Sequence, residues 1–376
     1  MVRSAQQRGV NDIVQLDGAI GGAAFRRDFV KADGRMLRLY GREPHRLSPL
    51  QEADGGGGGG ALSLGGELRF HPLRREWNVY AAHRQNRTFK PSAADDPLAP
   101  SKPGGQPTEI PFSDFEVAIF DNKFAAFHHS ANAAAQMLGV ETEAAKGACE
   151  VIVYGPEASG SLHSIGTDRR QVLLSAINDR YAELFNAGCA YVLPFENRGD
   201  AVGVTLHHPH GQIYGFDRVP RVAAEESQAF AAGYSLADEI AAAMPEFGLG
   251  EEGGIAAFVP RFARFPYEVW LAPTRKRAGP WECPAEELEA LAHWMGEITR
   301  RYDALFEGPA ATMMGFHAAP NPDLGGSENF HFSVQFAPLL RAPGRVKYLA
   351  AVEQHSGVFT VDVMPEDAAK SLRELG

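Results

Sequence analysis

Cysteine is scarce in this chain, and its few cysteines are poorly placed for joint chemistry. Cys149, Cys189 and Cys283 are the three cysteines of a 376-residue sequence, and no two of them form a CxxC pair. An odd number of widely separated cysteines predicts neither a disulfide framework nor a thiolate metal site. The sequence also lacks an apolar run of transmembrane length and a basic-then-apolar signal peptide. We therefore expect a protein of the cytoplasm.

An excess of positive charge is missing as well. The 36 Lys and Arg residues are outnumbered by 47 Asp and Glu residues, which gives a formal net charge of −11 and an isoelectric point near 5.6. Because nucleic acids and anionic membranes attract basic surfaces, this balance argues against a general binder of either. A few arginines can still bind phosphate groups locally.

The length and composition predict two packed units behind a peripheral N-terminal segment. A chain of 376 residues with 44% hydrophobic residues can bury a large core. The six glycines of Gly55–Gly60 are typical of a flexible linker, and the residues before them show no lasting periodicity, with local order expected near Arg35–Tyr40. We therefore expect an N-terminal extension and linker over residues 1–65, a first unit over 66–218 and a second unit over 219–376.

An internal repeat organises the two units. The apolar run Glu150–Pro156 has strand length and stops at proline, and Glu268–Pro273 repeats this pattern. A helical pattern follows each run, over Asp168–Ala187 and Pro284–Phe306, and further strands follow each helix. The first copy ends in HxHxQ and the second in HxSxQ. The pattern predicts an α+β fold made of a duplicated unit, with antiparallel sheets and helices packed on them. Two unrelated α+β segments are the alternative.

The first copy of this motif carries the most specific chemistry. It lies in Leu206–Gly215, which places His208 and His210 two residues apart and Gln212 two residues further. In a strand these three side chains would line one face, and Gly211 would let a ligand approach the backbone. A neutral imidazole can act as a nucleophile, a base or a metal ligand, whereas a carboxamide only donates and accepts hydrogen bonds. The combination favours covalent capture of a phosphoryl group over hydrolysis. The alternatives are that His210 is a buried core histidine and that Gln212 is an ordinary polar strand residue.

The chain resembles the galactose-1-phosphate uridylyltransferases of the histidine-triad superfamily over about residues 67–372. The HPHGQ motif carries the resemblance, because hydrolases of the superfamily usually have a third histidine where this chain has Gln212. Further matching segments occur along both units: Ala82–Arg87, Phe120–Phe124, Phe195–Gly199, Phe265–Glu268, Gly315–Pro320 and Lys347–Glu353.

The resemblance implies a nucleotidyltransferase that moves UMP between UDP-glucose and galactose 1-phosphate in a ping-pong reaction. His210 would attack the α-phosphorus, expel glucose 1-phosphate and carry the nucleotidyl group, which a second sugar 1-phosphate would then accept. Gln212 would hold a phosphoryl oxygen without supplying a proton. A neutral imidazole is a good nucleophile, and the phosphate leaving group needs little acid catalysis.

The resemblance also implies substrate contacts. Arg84 and Arg87 would bind phosphate oxygens, which arginine forks match well. Asn122 would bind the base or ribose, Asn197 the ribose or phosphate, and the backbone near Thr205 would approach the phosphate.

A homodimer with shared sites is expected from the same resemblance. Lys347 and Glu353 resemble residues that contact the hexose, and they would do so from a partner subunit. The expected partners are therefore a nucleotide sugar, a sugar 1-phosphate and a second copy of the chain.

The structural zinc of the family is expected to be absent. In the family the counterpart of His208 is a zinc ligand, together with two cysteines and a further histidine. Here the apparent counterparts are Asp96, Ala99 and Ala158. One imidazole and one carboxylate are too few ligands for a closed tetrahedral zinc site. We therefore expect His208 to serve as a hydrogen-bonding brace.

The second, iron-like metal site of some relatives is expected to be lost too. Ser333 replaces an expected histidine, while His317 and His331 remain with either a structural or a functional role. No cofactor is expected to be required for the chemistry.

Other functions remain open from the sequence. One is a divergent nucleotidyltransferase that uses another nucleotide, such as GDP or ADP, or an unusual sugar 1-phosphate in a specialised pathway. Another is a catalytically silent nucleotide-binding protein, which the intact His210 and Gln212 disfavour.

Overall fold

A computed structural model gives the fold of five stretches of the chain, which are residues 12–47, 65–86, 95–102, 107–112 and 115–376. The predicted glycine linker and Arg87 lie outside these residues. None of the helices in the described stretches combines the length and the apolarity needed to cross a bilayer. All three cysteines are free thiols.

The described residues form 17 strands and six α-helices. In chain order the strands are β1 (Ile13–Gln15), β2 (Phe25–Val30), β3 (Met36–Gly41), β4 (Glu67–His71), β5 (Glu76–Tyr80), β6 (Val117–Asp121), β7 (Thr142–Ala144), β8 (Gly147–Val153), β9 (Tyr191–Arg198), β10 (His210–Phe216), β11 (Gly248–Glu252), β12 (Ile255–Phe258), β13 (Val269–Pro273), β14 (Thr312–His317), β15 (Ser333–Pro338), β16 (Leu340–Ala342) and β17 (Arg345–Val346). The helices are α1 (Gly166–Asn186), α2 (Arg221–Ala231), α3 (Leu236–Phe247), α4 (Ala285–Leu305), α5 (Ala351–Ser356) and α6 (Pro365–Arg373).

One large antiparallel sheet dominates the described structure, and part of its strand order repeats on either side of the pair formed by β9 and β14. Its twelve strands run in the order β1-β2-β3-β6-β8-β10-β9-β14-β15-β13-β12-β11. The series β6-β8-β10-β9 is repeated in reverse by β12-β13-β15-β14, with α1 and α4 at matching points of the chain. This arrangement confirms the predicted α+β fold of duplicated units. The boundaries at residues 65 and 218 stay predictions.

The strand register places the two glutamines of the repeat in one row across the sheet. Gln212 pairs with Phe195, Phe195 pairs with Gly315, and Gly315 pairs with Gln335. Residues paired across neighbouring strands project on the same face. The motif strands β10 and β15 therefore present their polar side chains on one common face of the sheet.

The opposite face of the sheet holds the main core. The predicted apolar stripes of α1 and α4 are buried there, and α1 packs against α4. Ile213 and Val334, which alternate with the motif residues along β10 and β15, are also buried in this core. Each fully buried aliphatic side chain contributes about 1.5–3 kcal/mol. Packing therefore fixes which face of β10 and of β15 is left for the motif.

The N-terminal segment corrects the sequence prediction. Instead of forming a peripheral extension, β1, β2 and β3 extend the large sheet, and β3 pairs directly with β6. The strand pattern is hard to recognise in the sequence because some of its buried residues are charged. Arg26 is buried, and its guanidinium lies 2.6 Å from Asp28 Oδ1 and 2.5 Å from Asp179 Oδ2. The order expected near Arg35–Tyr40 corresponds to β3.

The first prediction tests whether β3 is an integral part of the fold. Leu39 of β3 is completely buried, whereas Leu73 is 90% exposed. We expect Leu39→Ala to lower the free energy of unfolding by about 2–5 kcal/mol, because the change leaves a cavity in a packed core. Urea unfolding measures this loss, with Leu73→Ala as the matched control. Equal effects of the two substitutions would show that the N-terminal strands are dispensable.

Candidate active site

A cavity of about 140 Å³ opens on the motif face of the sheet at the start of β10, and we call it the His210 cavity. Five of the residues selected from the sequence line it, namely Arg84, Asn122, Thr205, His210 and Gln212. They come from four separate parts of the chain. The fold therefore assembles most of the predicted site in one place.

His210 is held in place through its Nδ1 nitrogen. It is the first residue of β10, and its Nδ1 donates a hydrogen bond to the backbone carbonyl of His208 at 2.8 Å. A carbonyl only accepts, so Nδ1 carries the proton and Nε2 keeps its lone pair. Burial lowers the pKa of His210 below its ordinary value of 6.5. The ring is therefore a neutral imidazole at pH 7, with Nε2 available for attack.

His208 does not share a strand face with His210, contrary to the sequence expectation. Strand β10 begins after Pro209, which has no N–H to donate to a sheet ladder. The side chain of His208 is fully buried, with Nδ1 2.7 Å from Asp96 Oδ2 and Nε2 2.8 Å from the carbonyl oxygen of Gly155. These are the contacts that a hydrogen-bonding brace needs.

The surroundings of His208 do not fit a zinc ion. Asp96 and the carbonyl of Gly155 lie within hydrogen-bond distance of the two ring nitrogens of His208, so both nitrogens are already engaged within the protein. Ala99 and Ala158 have no ligating atom. The hydrogen bonds from His208 and from the backbone of Leu98 hold the pKa of Asp96 below its ordinary value despite the opposing effect of burial.

His317, His331 and Ser333, which correspond to the second metal site of some relatives, line one cavity, and each has a hydrogen-bond partner within the protein. His317 Nδ1 lies 2.7 Å from Glu226 Oε1, while His331 Nε2 donates to the carbonyl of Pro273 at 2.8 Å. The hydroxyl of Ser333 accepts a hydrogen bond from Gln335. Across the described residues, no three His, Cys, Asp or Glu side chains meet at a point that can hold a metal ion.

The predicted phosphate and nucleotide contacts lie around His210 to different degrees. Arg84 lines the cavity, and its Nη1 donates to the Tyr214 hydroxyl at 3.1 Å. Asn122 accepts a hydrogen bond from the backbone N–H of Phe124 at 2.8 Å and so orders that loop. Asn197 belongs to β9 but does not line the cavity.

Lys347 and Glu353 contact each other in the C-terminal segment. Lys347 Nζ is 3.2 Å from Glu353 Oε1 and 2.9 Å from Thr360 Oγ1, so the two residues order the C-terminal segment together. Neither lines the cavity. Contact with a hexose bound by a partner subunit stays a prediction.

Some cavity residues escaped the sequence reasoning. Glu109 and Phe120 line the cavity, and both are in contact with the N-terminal strands. Arg35 Nη2 lies 2.9 Å from Glu109 Oε2, and Lys31 contacts the same carboxylate and the ring of Phe120. No local motif marks these residues, since their role depends on strand pairing between distant segments.

Comparison with known proteins agrees with the site. Two sequence profiles match the chain, the N-terminal domain of galactose-1-phosphate uridyl transferase over residues 64–220 and the C-terminal domain over 248–376. A galactose-1-phosphate uridylyltransferase of Thermotoga maritima is 32% identical, over 82% of this chain and 98% of that protein. One from Rattus norvegicus is 27% identical, over 89% of this chain and 94% of that protein.

Solved structures share the fold. A uridylyltransferase superposes with a TM-score of 0.73 at 24% identity, and an ADP-glucose phosphorylase from Arabidopsis thaliana with bound ADP-glucose superposes with 0.61 at 17%. Each match covers 82% of this chain and 98% of the other.

Fold and site together define a duplicated α+β protein with one intact HPHGQ motif. The chain belongs to the galactose-1-phosphate uridylyltransferase family, and it is an enzyme of the transferase class. The family resemblance drawn from the sequence is confirmed.

The second prediction concerns the brace. Asp96→Asn removes the charge from the hydrogen bond to His208, and we expect the free energy of unfolding at pH 7 to fall by about 1–3 kcal/mol. Folding lowers the pKa of Asp96, so the carboxylate contributes its full stabilisation at pH values above its ordinary pKa of 3.8. This contribution is lost as the pH falls through the folded-state pKa. Urea unfolding is the measurement, and the exposed Asp323→Asn is the control. An unchanged midpoint for Asp96→Asn would contradict the brace.

Proposed function

We propose that this enzyme transfers UMP between UDP-glucose and galactose 1-phosphate through a uridylyl intermediate on His210. The observation that carries the proposal is the fixed tautomer of His210, which leaves a neutral Nε2 at the His210 cavity beside Gln212 and Arg84. The names and substrates of the relatives support the choice of sugar and base.

The first half of the reaction forms a phosphorus–nitrogen bond. Nε2 of His210 supplies its electron pair to the α-phosphorus of UDP-glucose, and the bond to the bridging oxygen breaks. Glucose 1-phosphate leaves as a dianion, so no acid has to protonate it. The second half reverses these steps, with a phosphate oxygen of galactose 1-phosphate as the nucleophile and Nε2 as the leaving group.

The polar side chains of the cavity explain why transfer wins over hydrolysis. The Gln212 amide can donate a hydrogen bond to a phosphoryl oxygen, but it cannot take a proton from water. Arg84 supplies positive charge near the transferred group, where the transition state needs electrostatic stabilisation. A site with a nucleophile but no second base retains the intermediate until a sugar phosphate arrives.

We further propose that the reaction needs no metal. The Asp96–His208 pair fixes the carbonyl that accepts from His210, which is the positioning that a zinc ligand at His208 would otherwise supply. His317 and His331 each use one ring nitrogen for a hydrogen bond within the protein, to Glu226 and to the carbonyl of Pro273 respectively.

The assembly and the location belong to the same proposal. A homodimer would let Lys347 and Glu353 approach the hexose in the site of the partner subunit. The cytoplasm, where the phosphorylated sugars of metabolism are found, is the expected compartment.

Another nucleotide is the alternative that a specific observation favours. A protein of the same fold binds ADP-glucose, so the fold itself admits a purine. Half-reactions with UDP-, ADP- and GDP-glucose distinguish the candidates, since only the true donor loads His210 rapidly.

The third prediction is the covalent adduct. After incubation with UDP-glucose labelled at the α-phosphorus and denaturation in alkali, we expect one acid-labile label per chain at His210. His210→Asn should abolish it, whereas His207→Asn, which alters an exposed neighbour, should retain it. The adduct should also form after exhaustive chelation, since no metal takes part. Turnover without a labelled protein would contradict the mechanism, and a chelation-sensitive adduct would contradict the metal-free site.

The fourth prediction is the pH dependence of adduct formation. Only neutral imidazole attacks phosphorus, and burial lowers the pKa of His210 below 6.5. Loading should therefore have its midpoint below pH 6.5 and fall as the pH drops through the lowered folded-state pKa. UDP-glucose alone is the suitable substrate, because its diphosphate does not titrate in this range. A midpoint at or above pH 6.5 would contradict the assignment.

The fifth prediction concerns Gln212. We expect Gln212→His to accelerate hydrolysis of the adduct by at least about tenfold, because general-base catalysis contributes about 10²–10⁴-fold to such steps. The rate is measured as the loss of label from the loaded enzyme without an acceptor. Gln335→His, at the matching position of β15, is the control and should leave this rate unchanged. An unchanged rate in Gln212→His would show that the amide does not protect the intermediate.

A further inference from the structure

A tyrosine of the core contacts the strand that carries His210 from the face opposite to the cavity. Tyr154 follows directly after β8, and its backbone N–H donates to the carbonyl of Pro209 at 3.2 Å. Its side chain is buried in the main core. Tyr154 therefore holds the residue before His210 through its backbone, and its ring extends along the core face of β10.

The ring of Tyr154 uses the space that the glycine of the motif leaves open. A Cβ atom built on Gly211 would lie 2.6 Å from the Tyr154 hydroxyl oxygen and 3.4 Å from the ring carbon that carries this oxygen. The first distance is too short for unbonded atoms, so the close approach of the hydroxyl requires a glycine at this position. The space beside Gly211 is therefore occupied by Tyr154, where the sequence predicts the approach of a ligand. Tyr154 thus contacts the residues on both sides of His210.

The strand on the other side of β10 holds the hydroxyl of Tyr154. This hydroxyl donates a hydrogen bond to Glu196 Oε2 of β9 at 3.1 Å, and both side chains are buried. Because β10 lies between β8 and β9 in the sheet, the contact from Tyr154 to Glu196 crosses β10 on its core face. We call this pair the Tyr154–Glu196 crossbar.

The role of Glu196 in this pair is that of a hydrogen-bond acceptor. Burial raises the pKa of Glu196 to about 7, because a buried carboxylate is poorly solvated. The tyrosine hydroxyl needs an oxygen that accepts, and an amide of the same shape also supplies one. Substitutions at position 196 can therefore separate the acceptor from the charge.

We propose that the Tyr154–Glu196 crossbar positions His210 for its attack on phosphorus, an inference that rests on the proposed role of His210 as the nucleophile. The hydrogen bond from Nδ1 to the carbonyl of His208 sets the rotation of the ring. The crossbar fixes the backbone that carries the ring. A nucleophile that is misplaced by about 1 Å can cost about 10²-fold in rate. Tyr154 and Glu196 do not line the His210 cavity, so they are positioning residues.

Single-turnover loading of His210 with labelled UDP-glucose tests the proposal. We expect Tyr154→Phe to lower the loading rate constant at saturating UDP-glucose by about tenfold or more, because the nucleophile is displaced. The half-saturating concentration should stay unchanged, because the substrate contacts are intact. Tyr181→Phe is the control, since it removes a hydroxyl that is buried in the same core on α1, and it should load like the wild type.

The outcomes separate this inference from the proposed function. A wild-type protein that takes up no label would refute the nucleophilic role of His210. A labelled wild type with a normal rate constant in Tyr154→Phe, or with a change in the half-saturating concentration alone, would refute only the crossbar.

Substitutions at Glu196 distinguish positioning from a general loss of packing. Glu196→Gln should load like the wild type, because the amide oxygen accepts from the Tyr154 hydroxyl. Glu196→Leu removes the acceptor and should slow loading as much as Tyr154→Phe does. Urea unfolding shows which variants remain folded. Equal loading rates in Glu196→Gln and Glu196→Leu would show that the acceptor has no role.

A rescue experiment tests the contact with the glycine directly. Gly211→Ala should slow loading, because the new methyl group collides with the Tyr154 hydroxyl. Adding Tyr154→Phe to Gly211→Ala should restore part of the rate, since the nearest ring atom then lies 3.4 Å away. The carbonyl oxygen of Phe195, 3.0 Å from the same position, keeps the recovery incomplete. A double variant no faster than Gly211→Ala alone would contradict the crossbar.

Discussion

The hydrogen bond from His210 Nδ1 to the carbonyl of His208 is the constraint on which the site depends. It selects the tautomer and turns Nε2 toward the cavity. The carbonyl can do this only if the residue that carries it is fixed, and the side chain of His208 is anchored at both ring nitrogens by Asp96 and Gly155. Together these three hydrogen bonds fix the orientation of the His210 ring, which the two-residue spacing alone would leave flexible. Metal coordination of His208 would serve the same end by a different bond.

Duplication explains why two cavities of different chemistry share one sheet. The row from Gln212 to Gln335 shows that the two units pair through β9 and β14 and that the second unit repeats the strand order of the first in reverse. The elements around them differ, because loops border the His210 cavity, whereas α2 lines a second cavity together with Ser333 and Gln335 of β15. Both cavities lie on the same face of the sheet. Their chemistry differs because one motif position changes from His210 to Ser333 and because different elements cover the face.

The sequence revealed those features that are local. Periodicity predicted α1 and α4 to within two residues, and the repeated motif predicted the duplication. Features that arise from pairing between distant segments were missed. Buried arginines in β2 and β3 look like surface residues until Asp28 and Asp179 are seen beside Arg26. The burial of His208 was missed because the sequence does not show that Pro209 delays the strand.

The same pairing makes the N-terminal strands part of the active-site framework. Arg38 lies 3.2 Å from Asp121, the residue before the cavity-lining Asn122, and Arg180 of α1 holds Glu150 of β8 with a contact of 2.7 Å. A chain of buried charges therefore connects the edge of the sheet, helix α1 and the strand beside β10. Removing one partner of such a pair leaves an uncompensated buried charge, which is destabilising by about 3–5 kcal/mol. A segment bound by such contacts cannot detach without disturbing the wall of the His210 cavity, so the catalytic unit begins well before the first residue that the family profiles match.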